Sequence, residues 1–295
     1  MYYLTGDIHG DVRRLLNDFK RYDIQSTDTV ILLGDVGLNY YGSDRGDNKS
    51  KKFLNKQGVT VFCIHGNHEM RPETIASYEE TKWNGGVVYY EPAYPNLLFA
   101  KDGEVFDLDG YRVVVIGGAY SVDKFYRLQR GMSWFDDEQP SAETKARVER
   151  NLDAVGWMVD CVLSHTCPAR YTPTEAFLSG LDQSSVDKST EEWLDSIEER
   201  LCYGSWFCGH WHIEKHIDKM HFLMKSYEAL APLEDYTIPV DEQTFRDFTA
   251  LCERKHTSVD IVTRAMFRYF IDPKNRETIK RWADEFRERE CSENE

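Results

Sequence analysis

Tyr2-Tyr3-Leu4-Thr5-Gly6-Asp7-Ile8-His9-Gly10 is a short strand-forming run that leads straight into a glycine, a carboxylate and an imidazole. Aromatic and β-branched residues favour an extended segment, and the glycine ends it. Asp7 and His9 stand two apart, which places both side chains on one side of extended backbone. The same arrangement recurs along the chain. Residues 29–33 lead into Gly34-Asp35-Val36-Gly37, and residues 59–64 lead into Gly66-Asn67-His68-Glu69. Residues 158–163 deliver Ser164-His165, and residues 205–208 deliver Gly209-His210-Trp211-His212.

Each cluster alone is a weak signal, since a Gly-Asp pair or a single His after a strand is usually structural. Five of them, each directly behind an apolar run, are hard to produce by accident. Strand ends in an open α/β sheet are where side chains from neighbouring strands converge and ligands bind. Mixed carboxylate, imidazole and amide donors suit manganese, iron, zinc or a comparable divalent ion.

Outward from these clusters, the pattern is strands alternating with helices or loops from residue 2 to about 232. Residues 111–116 make a further strand. Val12, Leu15, Leu16 and Phe19 mark the buried face of a helix after the first strand, and further helices are expected over residues 142–152 and 190–201. Several strands are apolar throughout, as in a sheet buried on both faces. Residues 39–51 and 170–188 are polar and read as long connections, either substrate-facing loops or ordinary surface insertions.

The chain of 295 residues suits one large domain and a small one, and a hydrophobic share of 41% supports a sizeable core. A formal charge of −15 argues against a general nucleic-acid coat protein, which needs Lys and Arg to neutralise phosphates. It leaves a nucleotide substrate open, because bound cations reverse the local field. The seven cysteines are scattered without a CxxC pair, and Cys63, Cys161 and Cys208, which lie in apolar runs, are expected to be reduced core residues. With no signal-like N-terminus and no membrane-length apolar run, a cytoplasmic protein is expected.

Gly6-Asp7-Ile8-His9-Gly10, Gly34-Asp35, Gly66-Asn67-His68-Glu69, His165 and Gly209-His210-Trp211-His212 together resemble the calcineurin-like metallophosphoesterase superfamily. The resemblance implies an α/β fold of two packed mixed β-sheets flanked by helices, a four-layer sandwich, over residues 1–232. It implies two divalent metal ions, manganese first, with iron, zinc or nickel as alternatives. Asp7, His9 and His212 would bind one ion, Asn67, His165 and His210 the other, and Asp35 would bridge them. His68 would stand beside the ions and protonate the leaving group or stabilise charge on the phosphoryl group. Glu69 would orient His68 or a ligand, or else be a helix-start carboxylate. The activity implied is hydrolysis of a phosphoester by a metal-bound hydroxide, with nucleotides and nucleic acids among the candidate substrates.

Two departures bear on the substrate. The protein-phosphatase branch of that superfamily continues its second motif as GDxxDRG, whereas here Gly34-Asp35 is followed by Val36-Gly37-Leu38-Asn39. Asp44-Arg45-Gly46 comes later, inside a polar loop. The expectation therefore leans to a nucleotide-type phosphodiesterase over a phosphomonoesterase or phosphoprotein phosphatase. Arg71, Arg45, Lys124 and Arg127 are candidate phosphate contacts, each with a solvated-surface alternative. Tyr40, Tyr41, Trp134 and Phe135 are candidates to stack a base, or packing residues.

Residues 233–295 change character. An alternating stretch at 236–241, a helix carrying Phe245, Phe248 and Leu251, a Thr257-Ser258-Val259-Asp260 cap and a second amphipathic helix over 261–270 resemble a ribbon-helix-helix unit. A last helix is expected over 275–289. The resemblance implies a homodimer joined through this segment, with a helical cap on the catalytic domain as the alternative. DNA reading is not favoured, because Thr237 and Pro239 are poor base readers. A DNA-binding autoregulator with a vestigial metal site is the reading furthest from an enzyme.

Overall fold

The computed structural model describes residues 1–42, 46–177, 185–230 and 242–255, together with 257–259, 262, 263, 266, 278, 281 and 282. The chain divides into two units, Met1–Glu234 and Asp235–Glu295. In the first, the order begins β1 (Tyr2–Thr5), α1 (Val12–Arg21), β2 (Thr29–Leu32), α2 (Asp47–Asn55) and β3 (Thr60–Cys63). It continues β4 (Glu79–Trp83), β5 (Gly86–Tyr90), β6 (Leu97–Ala100), β7 (Val105–Leu108) and β8 (Tyr111–Ile116). Then follow α3 (Lys124–Arg130), α4 (Ala142–Ala154), β9 (Cys161–Ser164), α5 (Ser189–Arg200) and β10 (Ser205–Cys208). The strands β11 (Lys215–Ile217), β12 (Met220–Phe222) and β13 (Glu228–Leu230) complete it.

Two mixed sheets result. One has the order β13-β1-β2-β3-β6-β5-β4 and the other β11-β12-β10-β9-β8-β7. The centre of each is parallel: β1, β2, β3 and β6 in the first, β12, β10, β9 and β8 in the second. Alternation along the strands explains why they are apolar throughout. Ile31, Leu33, Phe62 and Ile64 face Val113, Val115, Leu163 and Phe207 in the layer between the sheets. The intervening Val30, Leu32, Val61 and Cys63 pack outward on Val12, Leu15 and Phe19 of α1 and Leu54 of α2. On the far side, Val114, Val162 and Trp206 meet Val148 and Leu152 of α4 and Leu194 and Ile197 of α5. This is the expected sandwich of two sheets flanked by helices. Two helix starts are capped by side chains: Asp11 accepts from Arg14 N–H, and Ser141 from Thr144 N–H.

Three local expectations change. The strand expected over 158–163 begins only at Cys161, because Trp157 takes a left-handed backbone (φ 54°) and Met158 makes one isolated bridge to Cys202. The polar stretch 39–51 is not a bare connection: α2 starts at Asp47, whose carboxylate accepts from Tyr41 and Gly42 N–H. Its buried face carries Lys51, held 2.6 Å from Glu91, so the helix hides its inner face behind a charged residue. Within 170–188, short 3-10 turns occupy Ala169–Tyr171 and Thr174–Ala176, and residues 178–184 lie outside the described residues.

In the second unit, α6 (Glu242–Arg254) is the helix expected to carry Phe245 and Leu251, both of which are exposed, while Cys252 is buried. The strand expected over 236–241 lies outside the described residues, and the helices over 261–270 and 275–289 lie largely outside them. Among the described residues no helix is long and apolar enough to cross a membrane.

Candidate metal centre

The two sheets present their parallel strand ends at one edge, and the loops leaving them are clasped to each other through backbone. His9 and Gly10 N–H donate to the carbonyls of Asp35 and Val36 (2.8 and 2.9 Å), and Gly209 N–H donates to His165 O (3.0 Å). His68 N–H reaches Asp35 Oδ1 at 2.8 Å, and His210 N–H reaches Asp7 Oδ1 at 3.0 Å. His9, Asp35, His210 and His212 all adopt left-handed backbone, with φ of 45°, 45°, 64° and 54°. For side chains other than glycine this costs on the order of 1–3 kcal/mol each, and such strain gathers at functional sites.

These loops bring the seven metal-ligand candidates together. His212 Nε2 lies 3.1 Å from Asp7 Oδ2 and 3.0 Å from His9 Nε2. His165 Nε2 and His210 Nδ1 both face Asn67 Oδ1, at 2.8 and 3.0 Å. Asp35 sits among them, its carboxylate 3.6 Å from His165, 3.9 Å from His9 and 4.0 Å from His68. Two groups could each hold an ion, Asp7 with His9 and His212, and Asp7 with Asp35 and His165.

The donor chemistry fits cations. His165 Nδ1 lies 2.8 Å from Leu33 O, which can only accept, so Nδ1 carries the proton and a neutral ring leaves a lone pair on Nε2. Asn67 Nδ2 donates to Ser121 Oγ at 2.8 Å, which turns its carbonyl oxygen towards both imidazoles. In that neutral form Oδ1 and Nε2 face each other with no proton between them. A cation among such lone pairs turns mutual repulsion into coordination.

Electrostatics follow from depth. Burial holds the His210 imidazole well below its usual range. Burial also works against ionisation of Asp7, yet the hydrogen bond from His212 and the nearby His165 hold its carboxyl below the ordinary value. The same Asp7 contact raises His212. His68 is lowered by burial, with Asp35 opposing and Arg127 assisting.

Glu69 does something its sequence position did not announce. Fully buried, it accepts from Val36 N–H (3.1 Å), Gly37 N–H (3.1 Å) and Gly66 N–H (3.2 Å), stapling two ligand loops together. Burial and the neighbouring Asp35 push its carboxyl up to about 8, against the pull of those donors. Glu69→Gln keeps the shape but turns an amide NH2 towards backbone donors. Metal affinity is expected to fall about 10–100-fold with the fold retained. Calorimetric metal titration measures it, and an unchanged affinity would show that the loops hold without the carboxylate.

Ser121 and the Leu33 carbonyl also went unforeseen. A signal for Ser121 was present, because residues 111–116 end in Gly117-Gly118 at the same sheet edge as the other clusters. Of the phosphate-contact candidates among the described residues, only Arg127 lines the cavity of about 400 Å³ that also contains His9, Asp35, Tyr40, Tyr41 and His68. Its Nη2 lies 3.3 Å from His68 Nε2, and its Nε is fixed by Asp123 at 2.8 Å. Arg71 is buried, bonded to Asp102 (2.7 Å) and the Asp137 carbonyl (2.8 Å). Lys124 lies over the Trp134 ring at 3.9 Å, and Arg45 lies outside the described residues. Trp211 is half-buried and stacks on Phe177. A separate grouping, His216, His221 and Glu228, sits on β11, β12 and β13, with the carboxylate 2.7 and 3.0 Å from the imidazoles.

A match to the model of the calcineurin-like phosphoesterase family covers residues 2–214, from the first strand through the last ligand cluster. The chain belongs to that family. Membership in the calcineurin-like phosphoesterases implies metal-dependent hydrolysis of phosphoesters and a binuclear divalent metal centre. Two solved structures are similar to this one. One is TT1561 of Thermus thermophilus, at 12% identity and a TM-score of 0.43, covering 76% of this chain and 87% of that one. The other has 13% identity and a TM-score of 0.41, covering 75% of this chain and 88% of its own. No curated protein matches the sequence.

Proposed function

We propose that this calcineurin-like phosphoesterase is a phosphodiesterase acting on nucleotide-type substrates. In this reading Asp7, His9 and His212 hold one ion, Asn67, His165 and His210 hold the other, and Asp35 lies between them. When bound, two divalent ions supply an acidified water and a clamp on the phosphoryl oxygens. The observation that carries the substrate class is Arg127. The second motif lacks the Asp-Arg pair of the protein-phosphatase branch, and a guanidinium from α3 stands at the cavity beside His68. It presents paired donors to a phosphate, while Tyr40 and Tyr41 on the same wall offer flat apolar surface to a base.

His68 gives up a proton to the leaving oxygen. As the residues stand, its Nε2 accepts from Arg127, so the guanidinium must turn to a phosphoryl oxygen and that nitrogen must take up a proton before it can serve the leaving group. His68→Ala is expected to keep both ions and lose about 10²–10⁴ in kcat, most severely with poor leaving groups. Equal losses across a leaving-group series would remove the acid role.

The deciding experiment compares an aryl phosphodiester with an aryl phosphomonoester, using protein reconstituted with Mn²⁺. Preference for the diester supports the proposal. Preference for the monoester overturns it and restores a phosphatase.

A further inference from the structure

Beside the metal cavity lies a second groove of about 600 Å³, which shares Gly10 and Ser50 with it. Its walls carry Arg13 from the first turn of α1 and Lys49, Lys52 and Lys56 from α2 and its C-terminal cap. None of the four forms an ion pair among the described residues. Among the described residues Asp11 is the one carboxylate on the lining, and it is engaged in capping α1. Four such cations in one groove stand out on a chain whose formal charge is −15. The same wall carries Phe53, 50% exposed.

The spacing makes this a track. Residues 49, 52, 53 and 56 lie three and four apart, on one helix face. From Lys49 to Lys56 the helix rises about 10 Å at ~1.5 Å per residue. That spans more than one phosphate of a stacked strand at ~3.4 Å per nucleotide. A mononucleotide would be served by the metal cavity alone. A groove of cations interleaved with an exposed ring adds contacts only to a substrate that continues past the cleaved ester. Cations following a backbone and an aromatic face for an unpaired base are the chemistry that holds single-stranded nucleic acid.

Building on the phosphodiesterase reading, we infer that the substrate is a single-stranded nucleic acid that runs from the metal cavity along the Arg13, Lys49, Lys52 and Lys56 groove, with a base on Phe53. In the reaction, the oxygen of water bonds to phosphorus as one P–O bond to sugar breaks. The leaving oxygen takes a proton, so one fragment ends in a phosphomonoester and the other in a hydroxyl.

The test uses the full chain with a labelled single-stranded oligonucleotide and an aryl phosphodiester. Binding is read by fluorescence anisotropy in chelator, so that no turnover is needed. The triple variant Lys49→Glu, Lys52→Glu, Lys56→Glu is expected to weaken oligonucleotide binding by about 10²-fold at low salt and to flatten its salt dependence by about two ions, at ~0.7 per phosphate contact. Phe53→Ala is expected to weaken binding about tenfold with the salt slope retained, because stacking releases no counterions. With Mn²⁺, the ratio of kcat/KM for the oligonucleotide to that for the aryl diester should fall by about 10²-fold in the triple variant. Thermal melting of both variants establishes that they are folded.

Binding and cleavage ratios equal to the parent's in both folded variants overturn the groove. Turnover of the aryl diester with no oligonucleotide binding by the parent also sinks it, while leaving the hydrolysis reading intact. Groove-dependent binding without turnover of any phosphodiester would do the reverse.

Discussion

Asp35→Asn is expected to abolish metal-dependent phosphoester turnover in a protein that remains folded. The carboxylate stands within 4.0 Å of His9, His68 and His165, and among the described residues no other acidic group lies so close to all three. An amide in its place keeps the oxygen that accepts His68 N–H at 2.8 Å, so the loop has reason to hold its shape. In the proposed reading it loses the negative charge that would keep two dications together. The expected fall in kcat/KM is at least about 10³-fold, or about 4 kcal/mol of transition-state stabilisation. Metal content measured by atomic emission should drop below two ions per chain. Thermal melting without metal should be unchanged or higher, because a buried charge has been removed. Full turnover with two ions retained would falsify the bridging role.

Gly34→Ala should be among the most damaging single methyls in the site. Its Cβ would lie 2.1 Å from His165 Nδ1, and the backbone there has φ +97°. Left-handed strain costs roughly 1–2 kcal/mol, and forcing a methyl into a packed site about 1–3 kcal/mol more. The ring can yield only by leaving the Leu33 carbonyl that sets its protonation, so stability and metal affinity should fall together. Denaturant unfolding should show a lower midpoint at retained slope, corresponding to a stability loss of about 2–5 kcal/mol. Gly131→Ala is the control: it also has positive φ (64°), but its Cβ would meet nothing within 4 Å. A loss as large in the control would mean that strain alone, and not the clash with His165, carries the effect.

What the sequence disclosed follows from where the residues sit. Strands β2, β3, β8 and β10 were legible because both their faces are covered, so they read as unbroken apolar runs. Strand β4, Glu79-Glu80-Thr81-Lys82-Trp83, was not, because nearly all of it is exposed at a sheet edge. The helix α2 was hidden by Lys51, a charged residue on its buried face, and with it went the stripe of lysines on its outer face. The donor residues of the site were legible because each follows a strand. How they are held was not. A hydrogen bond from Asn67 to Ser121 joins residues 54 positions apart, and nothing in local sequence predicts left-handed backbone at His9, Asp35, His210 and His212.

The first strand pairs with β2 on one side and with β13 on the other, and Asp7 meets His212 across 205 positions. Such distant pairings make a slow-folding chain, since a long loop must close before contacts compensate for its lost entropy. During synthesis, Asp7, His9, Asp35 and Asn67 leave the ribosome long before His165, His210 and His212. Of the ligand candidates, the emerging segment therefore offers three oxygen donors and one imidazole, a poor trap for a transition metal. In this reading the choice of ion is postponed until the last imidazoles arrive, so the finished geometry, and not the order of synthesis, selects it.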